Sequence, residues 1–326
     1  MSALPPEDRL HEAAPPEARL TEADRALVRL LDRLEAHRYA FVAPTPSTAS
    51  VVAGRRRRAR PDDLRDVLGW SLPFAPGDLP DDVEALLRAG EALRPDGELL
   101  RPTLRVSTVD GRLHLHSARG TGAEAVFLGP DSYRFVRLLH ETLDRRPGFT
   151  RALDIGAGAG VGALALAARA PLAAITATDV NPQALRLMRI NAVHAGQPLH
   201  VVEGSGLAGR TGPFDLVVAN PPYIADAAGR TYRDGGGALG TAVALGWARE
   251  ALEVLAPGGR FVLYTGAPVV EGRDVVRAGL ADLAAARGLD LAYEELDPDV
   301  FGGALRRPEY DAVERIAAVG AVLTRP

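Results

Sequence analysis

The chain contains no cysteine. Disulfides, thiolate metal sites and a cysteine nucleophile are therefore excluded, and the expectation is a cytoplasmic location. Lysine is absent as well: all 38 residues of the Lys+Arg total are arginine. Schiff-base and lysine general-base chemistry are thereby excluded. The 42 acidic residues nearly balance the arginines, for a formal charge of −4, so the strongly basic footprint of a nucleic-acid-binding domain is missing. No apolar run approaches the ~18 residues of a membrane span. Met1 to Leu20, rich in Pro, Glu and Ala, has no apolar stretch of the kind a signal peptide carries. What is present is 47% hydrophobic residues over 326 positions. A single core stops growing near ~250–300 residues, so two domains are expected.

Residues 1–20 read as a disordered tail. Thr21 and Asp24 have capping-box spacing. Leu27, Leu31 and Leu34 then follow on one helical face, widened by Val28 and Leu30. Residues 43–62 read as a Pro/Ser/Ala/Arg-rich connection. Arg55-Arg-Arg-Arg58 and Arg60 within it read as a solvated run, with RNA phosphates or an acidic partner as the alternative. Residues 63–117 read as a small α+β unit, winged-helix-like. Short helices are expected over Asp63–Trp70 and Asp81–Ala92, then strands over Leu104–Val109 and Leu113–Ser117 around the turn Asp110-Gly111. His114 and His116 share one strand face; lacking a third ligand, they read as a surface pair and not a metal site.

From Phe127 the pattern alternates between strands and helices. Strands are expected at 151–155, 174–179, 199–203, 214–219, 259–265, 289–296 and 315–323. Helices fall at about 131–144, 161–170, 182–195, 238–255 and 272–287. This is the pattern of a seven-stranded Rossmann-like α/β sheet, parallel in its first five strands. No helix separates the last two strands, so an antiparallel return at the sheet edge is expected. The division is then 21–120 for substrate recognition and 121–326 for chemistry.

Arg151-Ala-Leu-Asp-Ile-Gly-Ala-Gly-Ala-Gly160 is a strand running into a glycine loop that opens a helix. Gly156, Gly158 and Gly160 allow a tight turn and close approach of a ligand. Asp179 ends the next strand about 20 residues on, where an acid takes ribose hydroxyls. Two ligands compete: a dinucleotide, or S-adenosylmethionine (SAM). Asp154, just before the first glycine, repels a pyrophosphate but suits the α-ammonium of SAM.

Phe214-Asp-Leu-Val-Val-Ala-Asn-Pro-Pro-Tyr223 is a buried-type strand ending in Asn220-Pro221-Pro222-Tyr223. Such a tetrapeptide suits methylation of a planar nitrogen, whose lone pair is delocalised and poorly nucleophilic. The Asn220 side-chain oxygen and the Pro221 carbonyl can accept its two N–H groups and stabilise the developing positive charge. Proline has fixed φ and no N–H, so the turn is rigid and free of competing donors. Tyr223 can lie against the planar group. Positioning then suffices without a general base.

Residues from about 127 to 326 resemble a class I SAM-dependent methyltransferase, most of all the release-factor glutamine methyltransferases of the HemK type. The resemblance runs through Asp154-Ile-Gly-Ala-Gly-Ala-Gly160, Asp179-Val-Asn-Pro-Gln-Ala-Leu185, Asn191, Asn220-Pro-Pro-Tyr-Ile224, Asp234-Gly-Gly-Gly-Ala-Leu239 and Leu255-Ala-Pro-Gly-Gly259. It implies that Asp154 and Gly156 hold the methionine part of SAM and Asp179 the ribose, with Ala157, Gly158, Gly160 and Asn220 also at the cofactor. Val180, Gly204 and Ser205 would face adenine, and Asn220 with Tyr223 would take the substrate nitrogen. The same tetrapeptide serves enzymes that methylate nucleobase amines, so the acceptor is a protein glutamine, an RNA base or a small-molecule amine, in that order. A non-catalytic SAM-binding module is the alternative of a different class. Three places differ from the glutamine enzymes: Ser205 after the third strand, Phe127-Leu-Gly-Pro-Asp-Ser132 before the first, and a longer N-terminal region. Asp131 and Ser132 read as caps of the next helix, with the rim of an acceptor pocket as the alternative for Pro130-Asp131. Arg230, Arg233 and Asp234 lie in a loop long enough for a lid. Asp297 to Gly303 reads as a loop that can sit at an interface.

Overall fold

The computed structural model describes residues 20–326 except 57–60, 62, 119–120, 123, 225–234 and 237–238. The expected tail up to residue 19, Arg57, Arg58 and Arg60, and the lid residues Arg230, Arg233 and Asp234 lie outside the described residues. Leu20, assigned to the tail from sequence, is buried in the N-terminal core.

Helix α1 (Glu22–Ala36) opens on the expected capping box: the Asp24 N–H donates to Thr21 Oγ1 at 3.1 Å, and the Thr21 N–H to Asp24 Oδ2 at 3.0 Å. Its buried face is Ala26, Leu27, Leu30, Leu31 and Leu34. The expected connection over 43–62 instead contains helix α2 (Pro46–Arg56). Thr45 Oγ1 accepts the Thr48 N–H at 3.2 Å, and Pro46 occupies the first helical position, where its missing N–H is no loss. The arginine run therefore begins in a helix end. The Arg56 guanidinium pairs with Asp66 and lies 5.7 Å over the Trp70 ring.

Helices α3 (Leu64–Leu68) and α4 (Asp81–Ala89) follow. A hairpin of β1 (Leu93–Asp96) and β2 (Leu99–Pro102) comes next, with Phe74 bridged to Leu100. The second hairpin pairs β3 (Leu104–Val109) with β4 (Arg112–Ser117). Its turn residues Asp110 and Gly111 both have positive φ, 51° and 73°, as a type I′ turn requires. Strand β4 is buried on both faces. His114 and His116 are thus 2% and 1% exposed, not a surface pair. His116 Nε2 bonds Ser107 Oγ at 2.8 Å, and burial holds the His114 imidazole down at about 4, hence neutral. Among the described residues no acidic or histidine cluster could hold a metal, and no helix is long and apolar enough to cross a membrane.

The second half runs α5 (Pro130–Arg145), β5 (Arg151–Ile155), α6 (Val161–Arg169), β6 (Ala174–Asp179), α7 (Pro182–His194), β7 (His200–Glu203), β8 (Phe214–Ala219), α8 (Ala242–Val254), β9 (Leu255–Val270), β10 (Arg273–Asp274), α9 (Val275–Arg287), β11 (Asp290–Asp297) and β12 (Arg315–Thr324). The sheet order is β11-β12-β9-β8-β5-β6-β7, with the short β10 folded back on β9. Strands β5 to β9 are parallel, as expected. The antiparallel return is β12, but it inserts between β9 and β11 rather than forming the edge. From β5 the chain moves outward to β6 and β7, then returns to β8 on the other side. The strand order therefore reverses between β5 and β8, which is where an open sheet of this kind leaves a ligand crevice.

The N-terminal half shares an apolar core with α7: Leu27, Leu30, Leu34 and Leu115 pack with Ala184, Leu187 and Ile190. Arg186 Nε donates to Asp24 at 2.6 Å, and His194 Nδ1 lies 2.9 Å from Asp32. The fully buried Asn191 ties three parts together. Its Oδ1 accepts the Leu115 N–H at 2.8 Å, and its Nδ2 donates to the carbonyls of Leu115 at 3.1 Å and Ala159, in the glycine loop, at 2.9 Å. Replacing Asn191 by Ala is expected to lower unfolding stability by about 2–4 kcal/mol, because buried backbone groups on both halves lose their partner. Denaturant unfolding measures it; an unchanged midpoint contradicts the clamp.

Candidate active site

The register of the central pair builds the site. Ile155, the last residue of β5, pairs with Ala219, the last of β8. Gly156 and Asn220 therefore start their loops side by side at the switch point. One cavity receives both loops and is lined by every residue expected from sequence to hold SAM or the acceptor nitrogen except Gly160.

On the glycine-loop side, Gly156, Gly158 and Gly160 have φ of 65°, 57° and 82°, the left-handed region that favours glycine. A Cβ on Gly156 would stand 2.4 Å from the Trp247 ring. Gly160 caps α6 and lies against Met188, where a Cβ would come within 2.8 Å of its side chain; it supports the loop from behind. The Ala157 N–H donates to the Thr178 carbonyl at 2.9 Å. Asp179 fixes the loop from the next strand: Oδ2 accepts the Gly158 N–H at 2.8 Å and Oδ1 the Asn181 N–H at 2.9 Å. Burial raises its pKa against the pull of those N–H groups. Its two oxygens carry about four lone-pair sites, so the carboxylate keeps acceptor capacity for a ligand beside these backbone N–H groups. Val180 beside it is 43% exposed, an apolar side chain open to the cavity. Gly204 and Ser205 line the same cavity; the Gly204 N–H donates to the Asp179 carbonyl at 2.9 Å.

Asp154 is 1% exposed. Its Oδ2 accepts the Ala163 N–H at 2.7 Å, and no basic side chain is paired with it among the described residues. Burial pushes its carboxyl up to about 7. A buried acid on a cavity wall, with one N–H as its partner, fits a ligand that brings its own cation. Asp154 and Asp179 together oppose a pyrophosphate. The residues present thus fit SAM, with its ammonium, ribose and adenine, better than a dinucleotide.

On the other side, Asn220 is half-buried and Pro221 is buried. Tyr223 is 8% exposed. Its ring packs on Gly266, where a Cβ would lie 2.4 Å away, and meets Phe301 edge-on at 5.4 Å. It is a fixed wall of the cavity. Helix α5 begins at Pro130, and it is Ser132 Oγ that accepts the Gly129 N–H, at 3.5 Å. The expected capping role thus falls to Ser132 alone. The Asp131 carboxyl turns inward and lines the cavity with Arg134.

Sequence reasoning missed several lining residues. Trp247 on α8 carries no motif. The loop after β11 lines the cavity through Asp299, Phe301 and Gly302, and Phe301 has a positive φ of 61°. The N-terminal half also reaches the cavity: Pro44 to Ser47, His116 and Val126 line it, and the Ala43 N–H donates to the Tyr133 hydroxyl at 2.8 Å. These contributions depend on tertiary docking and leave no local signal.

The sheet is a Rossmann-like α/β sheet with an antiparallel return, and residues 134–267, which hold the glycine loop and Asn220-Pro-Pro-Tyr223, match the family model of the methyltransferase small domain. Among curated proteins the chain is similar to the release factor glutamine methyltransferase of Deinococcus radiodurans, 42% identical over 148 residues, covering 43% of this chain and 53% of that one. It is similar to the enzyme of the same name from Rhodospirillum rubrum, 33% identical over 188 residues and 54% of each chain. A tRNA1(Val) (adenine(37)-N6)-methyltransferase of Aeromonas hydrophila is 42% identical over 94 residues, 27% of this chain and 38% of that one. The chain spans about half the length of the two glutamine methyltransferases.

The buried Asp154 has a measurable signature. The folded chain keeps its proton up to about pH 7, whereas an unfolded aspartate releases it near 3.8. The folded state thus binds more protons between those values. Ligand-free stability is expected to fall by a few kcal/mol as pH rises from about 4 to 7 on account of this group. Asp154→Asn is expected to stabilise the ligand-free protein at pH 8 and have little effect at pH 4. Equal effects at both pH values contradict the assignment.

Proposed function

We propose that the chain is a SAM-dependent N-methyltransferase whose acceptor is the side-chain amide of a protein glutamine. The observation that carries the methyl-transfer reading is the pairing of Ile155 with Ala219, which sets the glycine loop and Asn220-Pro-Pro-Tyr223 next to each other in one cavity. In this reading Asp154, with Gly156, Ala157 and Gly158, binds the methionine part. Asp179 takes the ribose hydroxyls, and Val180, Gly204 and Ser205 border the adenine. When bound, SAM supplies an electrophilic methyl group on a sulfonium sulfur.

The chain's own residues then orient the acceptor. The Asn220 side-chain oxygen and the Pro221 carbonyl accept the two N–H groups of the amide and aim its lone pair. They also stabilise the charge that develops on nitrogen as the N–C bond forms and the S–C bond breaks. Pro221 and Pro222 keep the turn rigid, and Tyr223 walls the pocket. The sulfur leaves as a neutral thioether, and the cationic, strongly acidic nitrogen then gives one proton to solvent water, so that positioning carries the transfer and no dedicated base is required.

Two observations support a protein amide over a nucleotide. The chain is similar to two release factor glutamine methyltransferases over the longest of the matched stretches reported above. In addition, the acids Asp131, Asp297 and Asp299 line the cavity and outnumber its arginines Arg105 and Arg134, the latter paired with Asp297 at 2.7 Å. That lining, among the described residues, disfavours phosphates flanking a base.

Incubation with methyl-labelled SAM and fractionated cell extract tests this reading. Label is expected in protein, on a glutamine amide; label in RNA or in small molecules overturns the acceptor, and SAM binding without transfer to any fraction overturns the enzyme. Asn220→Ala is expected to cut turnover by ~10²–10³ while SAM affinity stays within a few-fold. Unchanged turnover contradicts its role.

A further inference from the structure

Asp131 stands where a helix-capping acid would stand, yet it does not cap. Its carboxyl is 4% exposed and turned toward the sheet. The Tyr264 hydroxyl, from β9, donates to Asp131 Oδ1 at 2.7 Å. The buried Tyr223 side chain lines the same cavity, and its hydroxyl interacts electrostatically with the same carboxyl. Arg134 lies 3.6 Å from Oδ1 and ties itself to Asp297 at 2.7 Å. One acid thus joins α5, the tetrapeptide after β8, strand β9 and, through Arg134, the end of β11.

A buried carboxyl is expensive in free energy unless it is well bonded. Tyr264 alone would satisfy one oxygen. The second hydroxyl comes from the one aromatic residue of Asn220-Pro-Pro-Tyr223. The other restraints on that ring, Gly266 beneath it and Phe301 at its edge, are apolar contacts that leave sliding motions open. Asp131 braces the walls of that ring from the polar side: it holds Tyr264, two residues before Gly266, and through Arg134 the end of β11 that leads to Phe301, while its carboxyl interacts with the Tyr223 hydroxyl; the ring is two residues from the Pro221 carbonyl. Displacements of an ångström in a positioning group cost up to ~10²-fold in rate.

We propose that Asp131 is a positioning residue for methyl transfer: by holding the Tyr264 hydroxyl and interacting with that of Tyr223 it fixes the Asn220–Pro221 acceptor clamp. The proposal rests on the methyltransferase reading above. It assigns no contact between Asp131 and the transferred methyl.

The test uses the full chain with the acceptor fraction found by labelling, and counts active sites by SAM binding so that unfolded protein drops out. Asp131→Ala is expected to lower kcat by ~10–100-fold per SAM-binding site, with SAM affinity within about three-fold. Asp131→Asn, which keeps one acceptor oxygen, is expected to recover at least part of that loss. The double variant Asp131→Ala/Tyr223→Phe is expected to be no slower than the worse single variant, since both break one link. An unchanged kcat per binding site in Asp131→Ala, or strictly additive losses in the double variant, overturns the proposal. If Asp131→Ala does not fold, the Asn variant and the Tyr223→Phe/Tyr264→Phe pair carry the same comparison. A wild-type chain that transfers no methyl group overturns the underlying reading, which separates the two failures.

Discussion

Parallel pairing of β5 with β8 is the constraint on which the rest of the structure depends. The two strands are far apart in sequence, and two helices and two strands intervene. Because their register ends together at Ile155 and Ala219, the loops that follow emerge side by side on the carboxyl edge. A shift by one residue would flip alternate side chains and move the tetrapeptide along the crevice. The near-continuous burial of Ala152–Ile155 and Leu216–Ala219 specifies that register, since both faces of each strand are covered. The site is therefore a consequence of core packing.

The N-terminal half is bound to this arrangement through α7. Its leucine stripe packs on the same helix that follows Asp179, and the Asn191 amide connects β4 to the glycine loop with three hydrogen bonds. Events at the β3–β4 hairpin are thus mechanically linked to the loop beside Asp154. Residues near Pro44 and His116 complete the cavity wall. A segment read from sequence as a separate recognition unit contributes directly to the crevice.

Much of this was legible in the sequence. The strands and helices from Arg151 onward follow their period, and Gly, Pro and Asp punctuate them where turns fall. The glycine loop, Asp179 and the tetrapeptide occupy the strand ends foreseen for them. Other features were illegible for physical reasons. The β1–β2 hairpin has one buried position among its eight and contains Pro95, so no alternation marks it. Helix α2 depends on Thr45 and Pro46 inside a stretch whose composition resembles a linker. The burial of His114 and His116 comes from tertiary packing around the hairpin, with α7 docked on β4, which no local pattern reports. Asp131 looks like a cap because it sits in the first turn of a helix; only the fold brings Tyr264, 133 positions later, to its carboxyl.

On the proposed reading, the crevice flanked by Asp154 and Asp179 takes a cationic, phosphate-free adenosyl ligand. Calorimetric titration of the full chain with SAM, with its demethylated product and with NADH tests it most directly. Saturable binding of SAM and the product, with no heat from NADH, is the predicted result. Tight NADH binding with none by SAM or its product would show that the crevice is built for a dinucleotide instead.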